Sequence, residues 1–174
     1  MSIILGIDPG SRVCGYGLIR VSGNKLDYIA SGLIKTASLP FNERLHIIYS
    51  DIHDIIDENK PDQAAVEEVF MGKNASSALK LGQARGAAIV ACMINGVNVH
   101  EYSARKVKQA VVGKGGADKK QVQQMIKSVL GLSSVPPEDA ADALAVAVCH
   151  ANMENTLGRM VGVKSSRRGR LVAK

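Results

Sequence analysis

Short apolar runs separated by turn residues dominate the start of the chain. Residues 3–7 are all apolar or glycine and run into Asp8-Pro9-Gly10, the pattern of a buried strand that ends at a turn. Two further β-rich stretches, 13–20 and 26–36, lie on either side of Ser22-Gly23-Asn24. The pattern therefore predicts three antiparallel strands within the first 36 residues.

Beyond residue 40 the apolar positions recur every three or four residues, which is the period of helices that pack through one face. Two more apolar β-rich stretches interrupt these helices and predict strands over 63–69 and 97–102. The helices are predicted over 41–58, 75–94, 103–112, 118–130 and 138–153.

This order of elements predicts an α/β fold, with a mixed five-stranded sheet and helices on both of its faces. Right-handed crossovers would place the first, fourth and fifth strands side by side and parallel. Their C-terminal ends then share one edge, where ligand sites of open sheets lie. We predict one domain over 1–153 and a basic, disordered tail over 154–174.

Composition narrows the class of protein. The 174 residues are 46% hydrophobic and 22% charged, as in one ordinary soluble domain. No apolar run reaches the roughly 18 residues of a membrane span, and the first residues lack the features of a secretory signal, so we expect a cytoplasmic protein with no membrane partner. Cys14, Cys92 and Cys149 fit no zinc spacing and are predicted to be reduced and mostly buried.

The net charge of +6 is unevenly distributed. Residues 1–72 and 128–158 each carry a net charge of −4, whereas residues 73–127 carry +8 and residues 159–174 carry +6. The basic band over residues 73–127 favours binding of a polyanion. The simpler explanation of the same charge is that these lysines and arginines lie on helix faces exposed to solvent. Its candidate phosphate contacts are Lys73, Lys80, Arg85, Arg105, Lys106, Lys108, Lys114, Lys119 and Lys120.

Acidic residues occupy unusual places in the predicted elements. Asp8 ends an apolar strand, where an unpaired carboxylate is costly. Either Glu67 or Glu68, but not both, can share its face of the sheet, and alternation alone leaves the choice open. Asp139 and Asp142 share one face of an alanine-rich helix. Taken singly, each acid has an ordinary structural explanation. Asp8 could accept hydrogen bonds from the amides of the turn, and Asp139 lies in a first helical turn, where the helix dipole favours acids.

Together, four acids in one pocket would repel one another strongly unless cations were present. Ligands that are all carboxylates select Mg²⁺ or Mn²⁺ rather than zinc. Two such ions roughly 4 Å apart can hold both the attacking water and the departing 3′ oxygen of a phosphodiester. The pattern of acids therefore predicts a nuclease.

Two loop features have a functional and an ordinary interpretation. Phe70 follows the predicted acids closely and could stack on unpaired bases, or it could cap the core of the sheet. The glycine-rich loop over 113–116 is not a nucleotide-binding P-loop. It either lets the backbone approach DNA or simply turns the chain.

Several motifs match one known family, in order and at similar spacing, up to about residue 153. They are ILGIDPG (4–10), GYG (15–17), VEEVFM (66–71), KN (73–74), LKLGQARG (79–86) and DAADALA (139–145). The sequence therefore resembles the RuvC family of Holliday junction resolvases. One departure is Cys14, where the family more often has threonine, and no metal ligand is lost there.

The resemblance implies a ribonuclease H-like fold and a homodimer that nicks four-way DNA junctions symmetrically during recombination and repair, leaving 5′-phosphate and 3′-hydroxyl ends. It also implies two Mg²⁺ ions per subunit, with Mn²⁺ as a substitute, and partnership with the RuvA and RuvB branch-migration proteins. The family's metal-binding catalytic acids fall on Asp8, Glu67, Asp139 and Asp142. Its junction-contacting aromatic falls on Phe70, and its functional lysines fall on Lys108 and on Lys119, which we assign to catalysis as well. Charge alone predicts further DNA contacts at Lys73, Lys80, Arg85 and Lys114.

Three other functions remain as alternatives. An actin-like ATPase or sugar kinase also has an Asp-x-Gly turn like that at Asp8, but it needs a second such turn and a duplicated domain, and the 174 residues contain neither. A non-catalytic junction-binding protein would not need Asp142 among alanines. A relative of the same fold could act on ribosomal RNA precursors.

Overall fold

The computed structural model describes residues 1–69, 74–161, 163–167 and 170–173, with side chains described as far as residue 156. Its strands are β1 (Ser2–Asp8), β2 (Val13–Ser22), β3 (Lys25–Lys35), β4 (Gln63–Glu67), β5 (Asn98–Tyr102), β6 (Val163–Arg167) and β7 (Arg170–Ala173). Its helices are α1 (Phe41–Asn59), α2 (Ala75–Ile94), α3 (Ala104–Val112), α4 (Lys119–Val129) and α5 (Glu138–Val161).

The main sheet has five strands in the order β3-β2-β1-β4-β5. β1 to β3 pair antiparallel, whereas β1, β4 and β5 pair parallel, so the predicted mixed sheet is confirmed. The register places Asp8 opposite Gly15 and Ile7 opposite Val66. The C-terminal ends of β1 and β4 therefore lie together at one edge of the sheet.

Helices cover both faces of this sheet. Ile4 and Ala65 pack in a core with residues of α3, α4 and α5, while Leu5 and Val66 pack in a second core with residues of α1 and α2. Side chains alternate between the two faces of a strand. Asp8 lies four residues after Ile4, and Glu67 lies two residues after Ala65, so both acids lie on the α5 side of the sheet. Glu67, rather than Glu68, therefore shares a face with Asp8.

Helix α5 lies directly on the backbone of β1 and β2. A Cβ atom added to Gly6 would lie 2.0 Å from the carbonyl oxygen of Ala143, and one added to Gly15 would lie 2.0 Å from that of Asp139. A Cβ at Gly17 would lie 2.7 Å from the side chain of Leu144. Glycine on the strands and alanine on the helix thus permit a backbone-to-backbone approach, which fixes the start of α5 over the end of β1.

The glycine-rich loop over 113–116 turns the chain between α3 and α4. Gly113 ends α3 in the left-handed conformation, with φ of 79°, and its N–H bonds to the carbonyl of Gln109. Asp118 then caps α4 through a capping box with Gln121. These contacts support the ordinary interpretation of the loop as a turn.

The predicted end of the last helix at residue 153 was wrong, because α5 continues to Val161. The additional residues have anchors of their own: the Asn155 side chain donates to the carbonyl of Gly23, and the Thr156 hydroxyl donates to the carbonyl of Asn152. Beyond α5, β6 and β7 pair antiparallel. The division into a domain over 1–153 and a tail over 154–174 stays a prediction.

Candidate active site

A cavity of about 300 Å³ opens at the C-terminal ends of β1 and β4. β1 supplies Asp8, β4 supplies Glu67 and α5 supplies Asp142. Lys108 of α3 and Lys119 of α4 complete its polar wall. Three acids that are distant in the sequence are thus brought to one place by the parallel pairing of β1 with β4 and by the seating of α5.

The carboxylates in this cavity are electrostatically coupled. Burial, followed by the charges of Glu67, Asp142 and Asp139, raises the pKa of Asp8 from its ordinary value of 3.8 to about 8. Burial also raises the pKa of Glu67 and of Asp142. The cavity therefore concentrates negative charge that is incompletely balanced by the protein's own cations.

Lys119 lies at an unusual position for a cation, because it is the first residue of α4. The positive end of a helix dipole disfavours a lysine there. The residue is stabilised by an ion pair with Glu138, and its pKa is raised first by that hydrogen bond and then by the charges of Glu138, Asp142 and Asp139. The acids thus hold this ammonium group at the edge of the cavity.

Asp139, the fourth predicted acid, is not among the residues that line this cavity. It lies in the wall of a neighbouring cavity of about 750 Å³, which is also lined by Arg12, Arg44 and Lys80. Its charge nevertheless contributes to the raised pKa values of Asp8 and Asp142. Asp139 therefore stands at the boundary between an acidic cavity and a basic one.

The acids provide hard oxygen donors suited to Mg²⁺ or Mn²⁺. Within the described ranges, no three His, Cys, Asp or Glu side chains lie close enough together to enclose an ion unaided. Mg²⁺ usually binds through one or two carboxylates together with water and substrate phosphate, rather than in a cage made of protein alone. The donor set and its unbalanced charge fit such an ion.

The predicted DNA contacts lie in several places on the protein. Lys108 and Lys119 lie in the acidic cavity and Lys80 lies in the basic one. Arg85 instead pairs with Glu101 of β5, and Lys114 is exposed in the loop between α3 and α4. The predictions for Phe70 and Lys73 lie outside the described residues.

Sequence reasoning missed Arg12 and Arg44, which share the basic cavity with Lys80. Both belong to the segment 1–72, whose net charge is −4, so the distribution of charge pointed away from them. One available signal was the position of Arg12, four residues after Asp8 in the turn that ends β1.

The histidines and cysteines have ordinary structural roles. His150 is buried and is hydrogen-bonded to Tyr102 at 2.8 Å and to Gln63 at 2.7 Å, so it is a core residue whose ring nitrogens are both satisfied. The three cysteines are free and buried, which confirms their prediction. Over the part of the chain that the structure describes, no helix is both long and apolar enough to cross a bilayer.

The raised pKa of Asp8 predicts a pH-dependent stability in the absence of metal. The folded protein favours the protonated carboxyl, so the destabilisation is absent below about pH 4, grows as the pH rises, and is complete above about pH 8. In EDTA we expect the wild type to lose about 1–3 kcal/mol between pH 5 and pH 8 relative to Asp8→Asn. Thermal melting at several pH values measures this difference, and parallel profiles for the two proteins would contradict it.

Comparison with known proteins extends these observations. The family described as "Crossover junction endodeoxyribonuclease RuvC" matches residues 4–150. A protein of that name from Photobacterium profundum is 59% identical over 171 residues, which cover 98% of this chain and 99% of the relative. Another from Marinobacter nauticus is 58% identical over 160 residues, which cover 92% of this chain and 91% of the relative.

A solved structure agrees with these sequence matches. The structure described as T. thermophilus RuvC in complex with Holliday junction substrate has a TM-score of 0.84 and 36% sequence identity, and the match covers 90% of this chain and 96% of that one. The ribonuclease H-like fold class predicted from the sequence is thereby confirmed. The chain belongs to the RuvC family of crossover junction endodeoxyribonucleases.

Proposed function

We propose that this nuclease resolves four-way (Holliday) DNA junctions in recombination and repair, by cutting two strands symmetrically at the acidic cavity. The observation that carries the proposal is the sharing of one cavity by Asp8, Glu67 and Asp142 with Lys108 and Lys119. The acids suit metal-dependent hydrolysis, and the lysines suit binding of a backbone phosphate. The relative from T. thermophilus, whose structure contains a Holliday junction, supports the choice of substrate.

The acids would hold two Mg²⁺ ions per subunit, with Mn²⁺ as a substitute. Asp8, Glu67 and Asp142 line the acidic cavity, and Asp139 contributes from its boundary. When bound, such ions would supply Lewis acidity to the attacking water and to the leaving 3′ oxygen. Burial of Asp8, and then the charges of the neighbouring acids, raise its pKa to about 8, and this cost of its negative charge supports the assignment.

The side chains of this protein prepare the phosphodiester for attack. Lys108 and Lys119 would bind the non-bridging oxygens of the scissile phosphate and orient it over the acids. Attack by water on phosphorus then breaks the bond to the 3′ oxygen, which takes up a proton. The products are a 5′-phosphate and a 3′-hydroxyl, which a ligase can rejoin.

Removal of the Lys119 ammonium group tests its role in this chemistry. We expect Lys119→Ala to lower the single-turnover nicking rate by about 10- to 100-fold, because a positioned cation near the scissile phosphate is lost. The melting temperature should change little, since 59% of the side chain is exposed. Lys25, an exposed lysine at the opposite end of the sheet from Asp8 and outside the cavity lining, supplies the control Lys25→Ala. Equal nicking rates for the two variants would remove Lys119 from the site.

A homodimer would supply the second cut, and one face of α2 suits its interface. Leu79, Val90, Met93 and Ile94 are exposed there, with Ile94 65% accessible. Positions 82 and 86 are glycines, beside which a Cβ atom would have nothing within 4 Å. Ala84, Ala88 and Ala91 are buried against the rest of the chain, and the described residues leave the opposite face of α2 exposed, where a second copy would bind.

A charge placed on this face tests the dimer. We expect Ile94→Lys to weaken dimerisation at least about 10-fold and to convert paired nicks into slow single nicks, because a lysine would be buried in an apolar interface. Light scattering coupled to size exclusion measures the mass. Val129→Lys on α4, also at an exposed apolar position, is the control. If Ile94→Lys stays dimeric, the interface lies elsewhere.

Partnership with RuvA and RuvB stays a prediction from the family resemblance. A cytoplasmic location likewise stays a prediction.

The proposal is tested by incubating a synthetic four-way junction, and a linear duplex of the same sequence, with Mg²⁺ or with EDTA. We expect paired nicks only in the junction with Mg²⁺. Equal cutting of the duplex, or cutting in EDTA, would contradict the proposed function.

A further inference from the structure

The basic cavity beside Asp139 has no role in the chemistry described above. We propose that this cavity, the basic groove lined by Arg12, Arg44 and Lys80, binds a backbone phosphate of the cleaved DNA strand next to the scissile phosphodiester. The inference rests on the proposed function and identifies where the strand continues beyond the acids. Its three cations come from the turn between β1 and β2, from α1 and from α2.

Arg44 forms a fixed part of the groove. Its guanidinium donates to the carbonyl oxygens of Leu39 at 2.8 Å, Ala37 at 3.0 Å and Ser11 at 3.3 Å. A guanidinium has five N–H donors, so two remain for a ligand. All three acceptors are neutral carbonyls, and among the residues that the structure describes no carboxylate forms an ion pair with Arg44.

Arg12 supplies a second cation on a rigid support. Its carbonyl accepts a hydrogen bond from the Thr36 N–H at 2.9 Å, and the hydroxyl of the buried Thr36 donates to the neighbouring carbonyl of Ser11 at 3.1 Å. The side chain of Arg12 is exposed and has no partner within the described part of the chain. The backbone is thus held in place while the guanidinium stays available.

The charge of the groove favours an anion. Lys80 is the third cation: its Nζ lies 5.7 Å from the centre of the Phe41 ring, and no carboxylate of the described residues forms an ion pair with it. Of the described residues that line the groove, only Asp139 carries a carboxylate. Three cations against one acid create a positive potential, which a phosphate would neutralise.

The position of the groove selects a nucleic acid strand over a small free anion. Asp139 belongs to the groove and Asp142, one turn away on α5, belongs to the acidic cavity. A strand whose scissile phosphate lies over the acids and beside Lys108 and Lys119 therefore has the basic groove about one helical turn away along α5. The volume of about 750 Å³ also exceeds what a single phosphate needs and leaves room for a nucleotide.

Loss of the Arg12 charge should reduce the number of phosphate contacts by one. We expect Arg12→Gln to weaken junction binding about 10-fold in EDTA and to reduce the slope of log K against log salt by about one. Arg12→Lys should restore the slope, because a phosphate also accepts from an ammonium group. The control is Arg20→Gln, an exposed arginine on β2, opposite Ile3 rather than beside the acids, and it should change binding less than twofold.

Neutral phosphates identify which part of the DNA the groove contacts. Single methylphosphonates are placed at each of the three phosphates on either side of the cut, and binding is measured for wild type and Arg12→Gln. One substitution should weaken binding of the wild type by about the same factor as the Arg12→Gln mutation and should have no further effect on the mutant, since both remove the same contact.

The outcomes separate this inference from the proposed function. If Arg12→Gln binds like Arg20→Gln, or if every methylphosphonate weakens both proteins equally, the basic groove does not bind the strand, although the nuclease activity stands. A wild-type protein that neither binds nor nicks the junction overturns both proposals.

Discussion

Replacement of Asp8 by Asn is expected to abolish junction cutting, by about 10³-fold or more, and to leave junction binding within a few-fold of wild type. Asn has the same shape but lacks the negative charge that a hard cation requires. The cations of the acidic cavity, Lys108 and Lys119, are untouched, so the attraction for DNA phosphates persists. Nicking under single-turnover conditions with Mg²⁺, and gel-shift binding in EDTA, measure the two effects separately.

The matched control for this variant is Asp54→Asn, which removes one acid from an exposed position on α1. It should cut at the wild-type rate. Normal cutting by Asp8→Asn would show that its carboxylate is not part of the reaction. Loss of both cutting and binding would instead indicate a general defect in folding, which the melting curves described above would reveal.

Replacement of Gly15 by Ala should disrupt both stability and activity, since Gly15 is where β2 meets the start of α5. The added Cβ would lie 2.0 Å from the carbonyl oxygen of Asp139 and 2.5 Å from its carbon. Both atoms belong to the backbone, so the helix must shift. We expect a loss of about 3 kcal/mol, which lowers the melting temperature by roughly 6–12 °C.

The same shift would move the turn of α5 that carries Asp139 and Asp142, so nicking should fall by at least about 10²-fold. Gly116→Ala is the control, because nothing lies within 4 Å of a Cβ built there. Melting temperatures and nicking rates of the two variants are compared. If Gly15→Ala is as stable and active as Gly116→Ala, close contact between β2 and α5 does not position the acids.

Much of the architecture follows from local signals in the sequence. The apolar run that ends at Asp8, together with the crossover rule, predicts that β1, β4 and β5 lie parallel, as they do. The spacing of Asp139 and Asp142 predicts a shared helical face. The first inference depends on the handedness of the connections and the second on the period of one helix. Both properties can be deduced from the order and spacing of residues along the chain.

Other features depend on how distant elements pack, and local patterns do not express them. The choice of Glu67 over Glu68 requires knowing that Ala65 faces α5, which a run of apolar residues does not reveal. Arg44 reaches the turn at Ser11 only because the loop after β3 folds back against it. The end of α5 was predicted too early. Its last turns are held by tertiary contacts, such as that between the Asn155 side chain and the carbonyl of Gly23, which leave no pattern in the local sequence.

The central claim is that carboxylates from β1, β4 and α5 share divalent ions, and anomalous diffraction tests it most directly. Crystals of the wild-type protein are grown with Mn²⁺ and a junction, and the anomalous difference map is calculated at the manganese edge. We predict peaks in the acidic cavity about 2.0–2.2 Å from carboxylate oxygens of Asp8 and at least one of its acidic neighbours. A map with no peak in that cavity, or with manganese bound only elsewhere, would contradict the account.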